Sequence, residues 1–239
     1  MYLYNGNFVT IKVAPGTTVS QLQKSSGHQL NLGSNEQYFQ LYEDRSDGGY
    51  DPLNCSFLAE NRLDEDLQVL DRVAMWQRLY LDSKKRGKDA STFYFVYHTF
   101  LFVDLDQNYP SQVELMFIQA VHDMKVNRYP CTLIDMITLL ALYLRSRFGE
   151  QELDDDLFEY LMDLPIKYSE AVDTYIPRLE ESESELDYAK QKLILFYNKL
   201  QRRSRDWYIN AYMEYIMSWE LYGIETFDAE VLHRSFTES

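Results

Sequence analysis

The hydrophobic spacing of this chain changes once, near Leu81. Before that point apolar residues fall mostly at strand spacing, and beyond Ser91 they fall mostly at helical spacing. Alternation sends neighbouring side chains to opposite faces of a strand, whereas helical spacing gathers them on one side of a cylinder. The two halves therefore cannot be built from one kind of element. Between them, Asp82-Ser-Lys-Lys-Arg-Gly-Lys-Asp89 is polar, charged and carries Gly87, which marks a linker. The expectation is an α+β chain: a sheet-forming lobe over residues 1–82, a linker over 83–90, a helical lobe over 91–223 and a tail over 224–239.

The first lobe opens on a hairpin signal. Asn5-Gly6, a pair that accepts positive φ angles, separates Tyr2-Leu3-Tyr4 from Phe8-Val9-Thr10-Ile11-Lys12-Val13. In the second run Phe8, Thr10 and Lys12 share one face, and Val9, Ile11 and Val13 the other. Thr18 with Gln21 forms a capping box that predicts a short helix to about Ser26. Tyr38–Tyr42 reads as a strand and Phe57–Asn61 as a weaker one, while Val69–Leu79 fits helix and strand alike. A hairpin, a helix and further strands in this order describe a β-grasp, or ubiquitin-like, domain.

The second lobe reads as a bundle of four main helices. Ser111 and Glu114, after Pro110, are spaced as a capping box, and Val113, Phe117, Ala120, Val121 and Met124 then follow helical spacing. Thr132 and Asp135 start a second helix that is apolar nearly all round from Leu133 to Leu144, the mark of a buried central helix. Gly149 is placed to end it. A short acidic helix is expected over Asp154–Met162. A long one is expected over Pro177–Gln201, with Leu186, Ala189, Leu193, Phe196 and Leu200 inward. Ser204 caps a last helix that carries Tyr208, Tyr212, Tyr215, Ile216 and Trp219. The acidic run Glu180–Glu185 suits a solvated first turn, where the helix dipole favours carboxylates.

Composition removes several function classes. With 38 acidic against 23 basic residues the formal net charge is −15, so the chain lacks the overall basic footprint of a nucleic-acid binder. Two cysteines, Cys55 and Cys131, exclude a disulfide framework and read as reduced thiols. The longest apolar candidate, Met136–Leu144, is far too short to span a bilayer, and the N-terminus has neither the basic start nor the apolar run of a signal peptide.

Catalytic templates fail on residue supply or spacing. His28, His98, His122 and His233 neither pair at metal-ligand spacing nor sit by a Cys-x-x-Cys, so no metal site is expected. Asp104-x-Asp106-x-Asn108 begins like a calcium loop but has Tyr109 where that loop needs Gly and Leu115 where it needs Glu; it reads as a cap before a helix. There is no Gly-rich nucleotide loop and no nucleophile elbow. Cys131, at a helix start, reads as a packed small residue rather than a reactive thiol. The expectation is no catalytic residue and no cofactor.

Several phrases together resemble one family. Phe117-Ile-Gln-Ala-Val-His-Asp123 followed by Asn127-Arg-Tyr-Pro-Cys131 resembles the segment joining the first two helices of the middle lobe of a FERM domain. Leu139–Leu144 with Arg147-Phe-Gly149 is similar to that lobe's central helix, with Arg145 or Arg147 where the family has a Gln. Tyr175-Ile-Pro177 resembles its entry to the long third helix, Trp219-x-x-Tyr-Gly223 with Thr226-Phe227 its closing phrase, and Phe93–Phe102 its opening one. The resemblance covers essentially the whole chain and is nearest to FERM domains in the tails of unconventional myosins. It implies a ubiquitin-like lobe followed by a helical lobe similar to acyl-CoA-binding proteins. It also implies a third lobe, of which residues 224–239 would be at most the start.

That resemblance implies a non-catalytic adaptor, peripheral to membranes at the cytoskeleton or cell cortex in the cytoplasm. Its partners would be the cytoplasmic tails of membrane proteins or cytoskeletal proteins, and phosphoinositide membranes, with no nucleic acid. The alternative is a regulatory lobe pair of a larger kinase or phosphatase. The lipid-binding candidates are Lys84, Lys85, Arg86 and Lys88, a cationic cluster that opposes the net charge. A second cluster, Arg202, Arg203 and Arg205, follows the long helix, where cations also favour the helix C-terminus.

Overall fold

Thr18 opens the first helix by the mechanism its sequence predicts: its hydroxyl accepts from the Gln21 backbone while the Gln21 side chain accepts from the Thr18 N–H. In the computed structural model, which describes residues 1–46, 62–88, 92–99, 103–125, 128–129, 131–151 and 183–223, this helix is α1, Val19–Gln29. It outlasts the expected end at Ser26 by three residues. The Asn5-Gly6 turn is present, with Gly6 at φ 80° and Leu3 and Asn7 joined across it. Tyr2 and Phe8 bridge in antiparallel fashion; no longer strand extends from them among the described residues. The alternation of the second arm holds, since Ile11 and Val13 pack on the core and Phe8 is exposed.

The strand expected at Tyr38–Tyr42 begins later. A 3₁₀ helix occupies Gly33–Tyr38, and strand β1 runs from Gln40 to Ser46. The ambiguous stretch resolves as a helix, α2, Val69–Lys85. Its inward side carries Val69 and Trp76, and Trp76 lies on Phe93 and Phe95 at ring distances of 5.7 and 4.5 Å. Strand β2, Thr92–His98, pairs antiparallel with β1 along its whole length, Gln40 opposite His98 and Ser46 opposite Thr92. Of the expected linker, residues 83–85 are therefore the last turn of α2 and residues 86–88 its capped end.

The helical part comprises α3 (Pro110–Lys125), α4 (Leu133–Phe148), α5 (Glu183–Lys199) and α6 (Arg205–Met217). Helix α3 begins at Pro110, one residue before the expected cap. Proline suits the first helical position because its missing N–H is one the helix would leave unpaired. Ser111 thus sits inside the first turn, and the expected Ser111 capping box does not form the start. The Asp106 carboxylate accepts from the Asn108 N–H at 2.9 Å, a turn within the loop before α3 rather than the expected cap on the helix. Thr132 and Asp135 cap α4 reciprocally, and Gly149 at φ 64° ends it.

Helix α4 is the central helix: Ile137, Leu139, Leu140, Ala141, Leu142 and Leu144 are all buried. It packs on α5 through Leu193 and Tyr197 and on α6 through Tyr212 and Met213. The inner face of α5 needs one correction. Ala189, Leu193 and Tyr197 face inward, and Phe196 is 38 % exposed. Tyr197 tolerates burial because its hydroxyl donates to the Gln151 carbonyl at 2.8 Å and its ring carries the Arg145 guanidinium at 4.0 Å. The expected strand at Phe57–Asn61, the acidic helix at Asp154–Met162, the Tyr175–Pro177 entry, the Leu186 side chain, Thr226-Phe227, Cys55 and His233 lie outside the described residues.

One apolar core runs through both parts. Val19, Leu41 and Tyr97 belong to the same buried cluster as Val113, Met116 and Tyr212. Polar contacts reinforce that junction: the Asn35 amide donates to Gln112 Oε1 at 2.9 Å, both groups being buried. Gly33, at φ 55°, lies so close to the Tyr109 ring that a Cβ there would stand 2.3 Å from it.

Candidate functional site

The four predicted lipid-binding residues come together at the end of α2. Arg86 is the C-cap, Gly87 adopts φ 66°, the Lys88 N–H donates to the Ser83 carbonyl and the Gly87 N–H to the Lys84 carbonyl, each at 3.1 Å. Those two bonds define a Schellman ending, which fixes the backbone. The cluster is thus held on a capped helix end, not on a loose linker. All four side chains are exposed. Lys84 Nζ lies 4.9 Å above the Tyr80 ring, and Lys85 meets Asp82 at 3.9 Å with both groups in solvent. Such an exposed pair contributes little, so the turn keeps a local positive surface. The helix behind it is anchored: Glu43 accepts from the Arg72 guanidinium and from Trp76 Nε1, the latter at 2.7 Å.

The second cationic cluster is more neutralised. Arg202 faces Glu150 at 3.5 Å and Arg205 faces Glu114 at 2.7 Å. Arg205 stands in the first turn of α6, not at the end of α5.

Sequence reasoning missed a buried polar junction between sheet and bundle. The Tyr4 hydroxyl lies 2.5 Å from His98 Nδ1, the Tyr4 ring lies 4.3 Å from the His122 ring, and Tyr42 meets His98 edge-on at 5.4 Å. His122 Nδ1 and Arg128 Nη1 approach the same Asp123 oxygen at 3.5 and 3.6 Å. Burial first, then the Arg128 charge and His122, hold the His98 imidazole well below its ordinary range. His98 is therefore neutral in the folded protein. Its contribution is complete above the unfolded value near about 6.5 and is lost as pH falls from there toward the folded value. Urea midpoints measured at about pH 7.5 and about pH 5.5 should fall toward acid, and by less in His98→Asn. An equal fall in both proteins would show that His98 is not responsible.

The same junction explains the phrases that carry the resemblance. Gln119 exchanges two hydrogen bonds with the Thr99 backbone, at 3.1 and 2.5 Å, and so ties α3 to the end of β2. The Tyr129 hydroxyl lies 3.5 Å from Asp123 and accepts from the Gly223 N–H at 3.4 Å, while its ring lies 5.8 Å from Tyr222. Burial and the Asp123 charge push Tyr129 up to about 12. Gln119, Asp123, Tyr129 and Gly223 are thus structural partners. Arg145, the departure from the family's Gln, is buried and donates to the carbonyls of Tyr197, Gly149 and Gln151 at 3.1, 2.8 and 3.2 Å, closing the C-terminus of α4.

No group of three His, Cys, Asp or Glu among the described residues is placed to hold a metal ion. Burial pushes the Cys131 thiol up to about 11, with Asp135 adding to it, which disfavours a reactive thiolate at neutral pH. No helix among the described residues is long and apolar enough to cross a membrane.

Comparison with known proteins agrees with this architecture. The FERM central domain model matches residues 104–227, more than half of the chain. This chain belongs to the FERM family, a class of protein-interaction modules. Its fold is that of a FERM domain like those in myosin tails. The human myosin 7b C-terminal MyTH4-FERM domain, solved in complex with the harmonin-a PDZ3 domain, superposes with a TM-score of 0.60 at 18 % identity, covering 93 % of this chain and 42 % of that one. The Dictyostelium discoideum myosin VII MyTH4-FERM MF2 domain gives 0.65 at 13 % identity, with 93 % and 41 % covered. Drosophila Merlin, solved as a complex of its FERM and C-terminal domains, gives 0.61 at 14 %, with 92 % and 65 % covered. The chain spans about 42 % of the length of the myosin 7b structure. A search of curated proteins returned no match.

Proposed function

We propose that this chain is a non-catalytic docking module that links a cytoskeletal or motor protein to membrane surfaces and to the tails of partner proteins, acting at the cytoplasmic cell cortex. The first lobe runs in this reading through β2, and the helical lobe begins with α3. The observation that carries the membrane part is the cationic, rigidly capped end of α2: Lys84, Lys85, Arg86 and Lys88 stand exposed on a chain of net charge −15. Each such cation near an anionic leaflet contributes about 1 kcal/mol, so the four supply a useful local attraction once salt screens the acidic remainder. Support for the protein-partner part comes from the relatives: the myosin 7b domain was solved on a PDZ domain and Merlin on its own C-terminal domain. The buried imidazoles and Asp123 serve the junction, and their solvent exclusion argues against substrate chemistry there.

Reversing Lys84, Lys85, Arg86 and Lys88 to Glu should abolish sedimentation with phosphoinositide vesicles. Unfolding of the variant is followed in parallel, because cations also favour a helix C-terminus by a few tenths of a kcal/mol each. A folded variant that still sediments removes the α2 turn from the account.

A further inference from the structure

The chain has 20 tyrosines, and most of those described serve the core. Tyr197, Tyr208 and Tyr212 are buried, and the hydroxyls of Tyr129 and Tyr215 meet Asp123 and Asp135. Tyr188 is different. It alone among the described tyrosines is exposed, at 53 %. It stands in the second turn of α5, away from the buried Ala189, Leu193 and Tyr197. Its hydroxyl has no hydrogen-bond partner among the described residues. Charge changes sign at this residue. The five positions before it include Glu183, Glu185 and Asp187, whereas from Tyr188 to Arg205 the chain has no acidic residue. The first cation on its own helix face is Lys192, one turn on, whose Nζ lies 5.1 Å from the Tyr188 ring.

We infer that Tyr188 is a phosphorylation site, the target of a protein tyrosine kinase that reads carboxylates ahead of its substrate tyrosine, and that Lys192 holds the phosphate. In the reaction the γ-phosphorus of ATP bonds to Tyr188 Oη as its bond to the β-bridging oxygen breaks; ADP leaves, and the phenolic proton passes to the kinase. Three features of the site serve that step. The hydroxyl stands in solvent, where the nucleotide can be brought to it. The carboxylates at one, three and five positions before it match a basic substrate groove, the charge pattern by which kinases discriminate among substrates. The position near the start of α5 lets the chain open to the kinase from the end, because the first four N–H groups of a helix have no partner within it and helix ends open at the lowest cost. The product carries about −1.5 to −2 charges at neutral pH. Lys192, on the same face, is placed to pair with it, so the modification turns the cationic side of this stretch neutral or acidic. The site is separate from the α2 turn and does not depend on lipid binding there.

The test incubates the full chain with ATP, Mg²⁺ and the catalytic domain of a tyrosine kinase selective for acidic flanks, and maps phosphate by mass spectrometry. Phosphate on Tyr188 is expected, and Tyr188→Phe should lose it. Glu185→Lys with Asp187→Lys should lower kcat/KM for phosphorylation about tenfold or more, with helical circular dichroism unchanged, because a basic flank then faces a basic groove. Phosphorus NMR reads the second ionisation of the phosphate, ordinarily near about 6. It should fall below that value in the wild type and return toward it in Lys192→Ala. Several results would overturn the inference: phosphate on Tyr160 instead, which also follows an acidic run, Asp154 to Glu159; a rate indifferent to the flank; or a peptide of residues 183–193 that the kinase ignores. A folded chain left unlabelled while that peptide is phosphorylated would show that α5 withholds the tyrosine, and overturns it as well. Identical titrations with and without Lys192 remove that residue from the site.

Discussion

Gly33→Ala should destabilise the protein by about 3 kcal/mol. Two costs combine. The left-handed conformation at φ 55° disfavours a Cβ by about 1–2 kcal/mol, and the added carbon would stand 2.3 Å from the Tyr109 ring, an overlap that forces about 1–3 kcal/mol of repacking. The two parts separate in a double-mutant cycle with Tyr109→Ala. Urea denaturation should show the steric part recovered and the backbone part retained, with a coupling of about 1–3 kcal/mol. Equal costs in both backgrounds would mean that the junction yields at Gly33, against the close contact described.

Tyr212→Ala should cost about 4 kcal/mol, within the range for removing a large buried aromatic side chain. Tyr212 is 1 % exposed, meets Phe117 edge-on at 5.1 Å and lies where α6 packs against both α3 and α4. That loss is a large share of the total stability of an ordinary domain. Because the core is continuous from Val19 to Tyr212, the damage should reach the sheet, and fluorescence of Trp76, read with Trp207 and Trp219 replaced by Phe, should keep the same midpoint as helical circular dichroism. A drop of less than about 1 kcal/mol, or two separate transitions, would contradict a shared core.

Local chemistry is what the sequence discloses best. The Thr18 and Thr132 boxes, the Ser204 cap and the Gly149 stop each depend on residues within four positions of one another, and each stands where its residues predict. Long-range partners were the missing part. Val69–Leu79 has no decisive period, and only Trp76 on Phe93 and Phe95, with Arg72 and Trp76 on Glu43, selects the helix. Phe196 reads as more apolar than Tyr197, yet Arg145 and the Gln151 carbonyl, more than forty positions away, reverse the order. Ser111 misled because its spacing to Glu114 is correct while Pro110 already occupies the first helical position.

The candidate site was legible as composition and not as geometry. Lys84, Lys85, Arg86 and Lys88 stand out on an acidic chain, but their placement on a Schellman turn requires knowing that α2 runs to Lys85. The His98 and His122 junction gave no signal, since its members come from the N-terminal turn, β2 and α3.

In the proposed function the cationic end of α2 docks an otherwise acidic module to anionic membranes. Affinity for phosphoinositide vesicles measured across salt concentration tests it most directly. At low salt the Debye length reaches about 30 Å at about 0.01 M and the whole acidic chain is repelled; near about 0.1 M only the local cations are felt; near about 1 M they too are screened. The account predicts tightest binding at the intermediate salt and weaker binding on both sides. Binding that is absent throughout, or indifferent to salt, would contradict it.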